Sequence, residues 1–172
     1  MNRKPIYFGV AYSLLIIIFK LVILLGGFSL TYFGWYYSNI TGVLLVIPFY
    51  ILAIKSIRDK DLGGFISGRE ALKIALTVFG VSAILISVYN YFEFEYSGKA
   101  LAIEYYNSEQ FLDFLKRQSR IKAEDYSKII EEQIKNSEVS GFKATTGKLF
   151  SFMLIGISTA IMCAAMLKKR PN

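Results

Sequence analysis

Apolar residues in this chain are gathered into four long blocks, and the polar residues collect between the blocks instead of alternating within them. The blocks run from Ile6 to Leu25, Ile40 to Ile57, Ala71 to Phe92 and Leu149 to Leu167. At about 1.5 Å of rise per residue, a helix needs roughly 20 apolar residues to cross about 30 Å of hydrocarbon, and core helices of soluble proteins rarely keep so many without charge. The pattern predicts an all-α, polytopic membrane protein with four transmembrane helices, over about 6–28, 40–57, 68–92 and 149–167.

Residues 93–148 have a different character. Phe111, Leu112, Phe114 and Leu115 recur at helical spacing, as do Tyr126, Ile129, Ile130 and Ile134, with a break near Arg120. This predicts an extracytoplasmic insertion of two amphipathic helices, paired as a hairpin over the mouth of the bundle or lying flat on the membrane.

Local signals sharpen the ends of these elements. Arg3 and Lys4 precede a first block that exceeds the roughly 7 to 15 apolar residues of a signal peptide, and no Ala-x-Ala-like site follows it. Gly26 and Gly27 loosen its exit, and Tyr32, Phe33, Trp35, Tyr36 and Tyr37 suit a headgroup layer. Asn39 is placed to cap the second helix, and Pro48 predicts a kink in it. The connector over 58–67 turns on Gly63-Gly64, and Ser67-Gly68-Arg69-Glu70 fits the S-x-x-E capping box just before the third block. Aromatic residues between Tyr89 and Tyr96 form a second belt. Ser140-Gly141 and Thr145-Thr146-Gly147 punctuate the return to the bilayer. Gly156, Ala160 and Ala164, four apart in the last block, form a small-residue packing stripe, for contact within the chain or between copies.

The 172 residues are 54% apolar with a mean hydropathy of +0.43, and the net charge is +7. Such a charge suggests nucleic acid when it forms one soluble patch. Here it is divided by the blocks. Arg3, Lys4, Lys55, Arg58, Lys60, Arg69, Lys73, Lys168, Lys169 and Arg170 fall on one side, ten cations against three acids, while 93–148 holds nine cations and ten acids. By the positive-inside rule the amino end, the connector and the carboxyl end are cytoplasmic, in a cytoplasmic (inner) membrane. No nucleic acid is needed to explain the charge; the lipid bilayer is the expected partner.

The chain has no histidine and one cysteine, Cys163. That excludes an intrachain disulfide, the usual Cys/His zinc sites and a Ser-His or Cys-His catalytic pair, so neither a cofactor nor enzymatic activity is expected.

The connector carries a family likeness. IKSIRDKDLGGFIS followed by an Ala-Leu-rich helix resembles a bacterial membrane-protein family catalogued as domain of unknown function 4199. The likeness extends over nearly the whole chain and implies four crossings, a charged helical segment before the fourth and a lysine-rich tail. Gly68 departs from it where an aromatic residue is expected, and Ser97-Gly98 stands in place of an Asn-Pro-like turn. No activity and no catalytic residues come with the resemblance.

Lys20 is the leading candidate functional residue, because an ionisable group inside a crossing is expensive and is often functional. Its alternatives are snorkelling toward the outer end, or a structural pair with Glu93. Lys55, Arg58, Lys60, Arg69, Lys73, Lys168, Lys169 and Arg170 are candidates for headgroup contact beyond setting topology. Asp59 and Asp61 read as solvated loop carboxylates and Cys163 as a packing residue. The expected function is that of a non-enzymatic structural or assembly component of the cell envelope, meeting itself or another membrane protein through the fourth crossing or through 93–148. The alternative is a small transporter or channel using Lys20, with Ser13, Thr77, Ser82, Ser87, Ser158 and Thr159 as its thin polar lining.

Overall fold

Why each apolar block becomes a helix, and where it stops, follows from a few residues at its ends. The computed structural model describes residues 3–31, 33–34 and 38–169. Tyr32, Trp35, Tyr36, Tyr37 and Arg170, and the side chain of Asn39, lie outside the described residues. Helix α1 spans Lys4–Leu25, with Pro5 in its first turn, where a missing N–H costs nothing. It stops three residues short of the expected end, and Gly27 turns the chain at a φ of 72°.

The second crossing is divided into α2, Ser38–Leu44, and α3, Val46–Asp61. The interruption at Leu45 follows from Pro48, which has no N–H to give the carbonyl of Leu44 and whose ring crowds it. Gly63 and Gly64, at φ 62° and 89°, then reverse the chain. The Ser67 hydroxyl accepts from the Glu70 N–H at 3.2 Å, and the Glu70 carboxylate accepts from the Ser67 N–H at 3.1 Å, so the predicted capping box is formed.

Helix α4, Gly68–Glu93, ends as regular α-helix within the expected aromatic belt, but the helical backbone does not stop there. It runs through a π-helical turn, Phe94–Gly98, into α5, Lys99–Tyr106, with Ser97-Gly98, which stands in place of an Asn-Pro-like turn, inside the helix. Gly98 keeps a helical φ of −61°, and the Ser97 hydroxyl donates back to the Glu93 carbonyl at 3.1 Å. The resulting helical mast of 39 residues is about 58 Å long, nearly twice the hydrocarbon thickness.

Helices α6, Glu109–Arg117, and α7, Tyr126–Ser137, follow. They do not pair by themselves, because both pack on α5. Tyr105, Phe111 and Leu115 are buried there, with Ile129 and Ile130 against them. Helix α8, Gly141–Leu167, starts eight residues before its apolar block. Ser140 caps it, the Glu95 carboxylate accepts from the Gly141 N–H at 2.7 Å, and Thr145-Thr146-Gly147 is helical, not a turn.

Helix α4 is the axis of the bundle. α1 and α8 flank it and α3 closes the remaining side, around buried Tyr12, Tyr50, Ile54, Val46 and Val78. The outward faces stay apolar, with Ile84 67% and Phe150 65% exposed, as lipid contact requires. Among the described residues, four helices, Lys4–Leu25, Ile40–Asp61, Gly68–Tyr106 and Gly141–Leu167, are long and apolar enough to cross a membrane. The protein is an all-helical polytopic membrane protein. Among the described residues, the only bridge of extended backbone pairs Ile66 with Lys169, through two hydrogen bonds of 2.9 Å. It joins the connector to the carboxyl-terminal tail, and Lys4 bonds Asp61 beside them at 2.5 Å. One end of the bundle, the connector face, thus gathers the amino end, the connector and the tail. Helices α5 to α7 cap the other.

Candidate functional site

Near the capped end, α1 and α4 bring an ionic cluster together inside the crossing. Lys20 is about 8 Å along α1 from its last residue, deep enough that its ammonium needs partners. Its Nζ donates to Glu93 Oε2 at 2.5 Å and to Asn90 Oδ1 at 2.7 Å. It also lies 5.5 Å from the centre of the Tyr89 ring, and the Tyr89 hydroxyl donates to Glu93 Oε1 at 3.3 Å. Tyr89, Asn90 and Glu93 lie on adjoining positions of one face of α4, so a single helix supplies the whole cradle. The side chains of Lys20 and Glu93 are 12% and 19% exposed, and so the pair is largely desolvated.

Two cavities meet at this cluster. The first, of about 380 Å³, lies on the cap side between α1, the start of the mast extension, α7 and α8; Ser29, Asn136 and Ser137 give it polar walls. The second, of about 390 Å³, runs toward the middle of the bundle between α1, α4 and α8, walled mainly by Tyr12, Ile16, Ile86, Phe152 and Ile155. Lys20 and Lys148 line both. The Lys148 ammonium makes no hydrogen bond or ion pair with another described residue, although it lies in the fields of Lys20 and Glu93. The pattern of the sequence points to Lys20 and to Glu93 as its partner. It does not point to Lys148, which directly precedes the fourth apolar block and reads as an outer-segment charge. The only signal for it is position: once α8 starts at Gly141, Lys148 sits two turns inside a helix.

The remaining candidates are distributed otherwise. Lys55, Lys60, Arg69, Lys73, Lys168 and Lys169 are exposed at the connector face. Arg58 binds Asp59 at 2.7 Å, and Lys4 holds Asp61, so the two aspartates do not form a carboxylate pair. Lys169 also rests 5.8 Å from the Phe65 ring. Gly156, Ala160, Cys163 and Ala164 are buried on the inward side of α8. A Cβ at Gly156 would overlap the Phe79 ring of α4, and the Gly156 carbonyl accepts from the Tyr50 hydroxyl at 3.1 Å. The small-residue stripe is therefore used within the chain.

Of the six hydroxyls expected to line a path, that of Ser87 borders the second cavity and the other five turn back on their own helices. Ser13 donates to the Gly9 carbonyl, Thr77 to Lys73, Ser82 to Phe79, Ser158 to Leu154 and Thr159 to Ile155, all at 2.7–2.8 Å.

The family profile described as "Protein of unknown function (DUF4199)" matches residues 7–169. The chain belongs to this family. The match runs from early α1 through the last residue of the Ile66–Lys169 bridge, so in this DUF4199 protein the cluster, both cavities and the helical cap all lie inside the matched region. No curated protein and no solved structure matches it.

Proposed function

We propose that this DUF4199 protein is a non-enzymatic, structural or assembly component of the bacterial cell envelope, held in the cytoplasmic membrane with both ends on the cytoplasmic side. The observation that carries the reading is the fate of the polar groups in the crossings. Lys20 is occupied by Glu93 and Asn90, and five of the six named hydroxyls, those of Ser13, Thr77, Ser82, Ser158 and Thr159, are occupied by their own helix carbonyls. A conduction path needs polar groups that face one another and bind cargo weakly. The ten cations assigned to the connector face support the orientation.

A second reading, a small transporter using Lys20, draws support from the two cavities that meet there. One experiment separates the two. Purification of the full chain in mild detergent is expected to recover a stoichiometric membrane-protein partner, and reconstituted vesicles are expected to show no solute flux. A lone chain whose solute flux is abolished by Lys20→Met would replace the structural reading with the transporter.

A further inference from the structure

From the two cavities we infer that the protein holds one anionic phospholipid of the surrounding bilayer in a built site, with its phosphate at Lys148 and Lys20. Its headgroup occupies the cap-side cavity and an acyl chain the groove between α1, α4 and α8. The inference goes beyond the structural role proposed above and does not depend on which way the bundle faces.

Three observations carry it. The cap-side space is the more polar of the two, with Ser29, Asn136 and Ser137 set among apolar walls, charged groups stand at the junction, and Tyr12, Ile16 and Phe152 lie below, the order of polarity of a lipid. The lower space runs from Lys20 to Tyr12, eight residues or about 12 Å along α1, toward the bilayer centre as an acyl chain does. Its volume of about 390 Å³ lies in the range of small-molecule sites. The charge at the junction is the third. Glu93 would repel a phosphate, but Lys20 already neutralises it, and the Lys148 cation is left over. That residue of positive charge favours a lipid with net negative charge over a zwitterionic one.

The test uses the full chain in nanodiscs containing equal amounts of phosphatidylglycerol and phosphatidylethanolamine, released into mild detergent and read by native mass spectrometry. The wild type is expected to retain one phosphatidylglycerol, enriched about fivefold over phosphatidylethanolamine, the preference one lysine near the headgroup layer supplies. Lys148→Gln should bring the bound ratio back to that of the bilayer. Ser87→Phe, which fills the groove and removes no ion pair, should lose bound lipid of both kinds. Lys116→Gln, in the exposed arm, should retain the wild-type pattern. Circular dichroism confirms that each variant is folded. Retention and ratio unchanged in either Lys148→Gln or Ser87→Phe would overturn the inference, since lipid held only as annular solvent ignores both changes.

Discussion

The Lys20 ammonium and the Glu93 carboxylate, 73 positions apart in sequence, meet at 2.5 Å between α1 and α4 where both are largely shielded from water. Each neutralises the other where the bilayer would otherwise have to dissolve a bare charge. Lys20→Met leaves the carboxylate with Tyr89 as its remaining side-chain hydrogen-bond donor, and is expected to destabilise the bundle by about 2 kcal/mol, as loss of a charged partner does in a buried site. The double variant Lys20→Met with Glu93→Gln should recover most of this, because no unpaired charge remains. Unfolding in mixed detergent micelles measures both. A double variant as unstable as the single one would show that the pair is not what holds Lys20.

Gly156 marks the closest approach of α8 to α4, against the Phe79 ring. Gly156→Ala should destabilise the fold by about 1–3 kcal/mol, the usual penalty for an extra methyl in a filled contact. Phe79→Leu should relieve part of it. Because the stripe of Gly156, Ala160 and Ala164 faces inward, Gly156→Ala is expected to leave the oligomeric state, read by light scattering, unchanged. A shift in oligomer mass would return the stripe to a role between copies.

How much of this was readable in the sequence depends on the range over which each signal acts. Block length reported the four crossings because the bilayer imposes a length on every span independently of its neighbours. The Ser67-x-x-Glu70 box was readable because its donors and acceptors lie within one turn. The mast was not readable. Tyr89 to Tyr96 looks like an interface belt, and Ser97-Gly98 looks like a turn, yet a π-helical turn held by the Ser97 hydroxyl carries the helix through. Lys148 was missed because Ser140-Gly141 and Thr145-Thr146-Gly147 read as a break, whereas α8 begins at Gly141 with Glu95, 46 residues before it, adding to the Ser140 cap. Local pattern reports the Ser140 cap but not the support that Glu95 adds from so far away. The Lys20–Glu93 pair lies between these cases, since an intramembrane cation demands an acid and Glu93 stands at the matching depth.

The helical cap has an apolar cluster of its own, distinct from the core of the bundle. Phe111, 6% exposed, packs at 4.9 Å from the Tyr106 ring centre and 5.6 Å from that of Tyr105. Phe111→Ala is expected to cost about 3–5 kcal/mol of the cap's local stability. Amide exchange should then speed up over 99–137 and leave the four crossings protected. Equal acceleration in α1 and α4 would mean that cap and bundle unfold as one unit.

Orientation has its own test in the exposed segment between α6 and α7. Residues 116–120 are exposed and lie beyond the capped end, and Arg117 and Arg120 offer tryptic sites. If the connector face is cytoplasmic, trypsin added outside right-side-out vesicles cuts here and leaves Lys55, Arg58 and Lys60 intact. The balance of ten cations to three acids on the connector side would impose that direction, because each cation resists transfer across the membrane during insertion. Replacing Lys55, Arg58, Lys60, Arg69 and Lys73 by glutamine removes half of those cations. Expected is a mixed population, with part of the chains protected at Arg120 from outside. Retention of the single wild-type cleavage pattern would mean that Arg3, Lys4 and the tail lysines suffice. Protection of Arg120 in the unmodified protein would reverse the assignment of both faces.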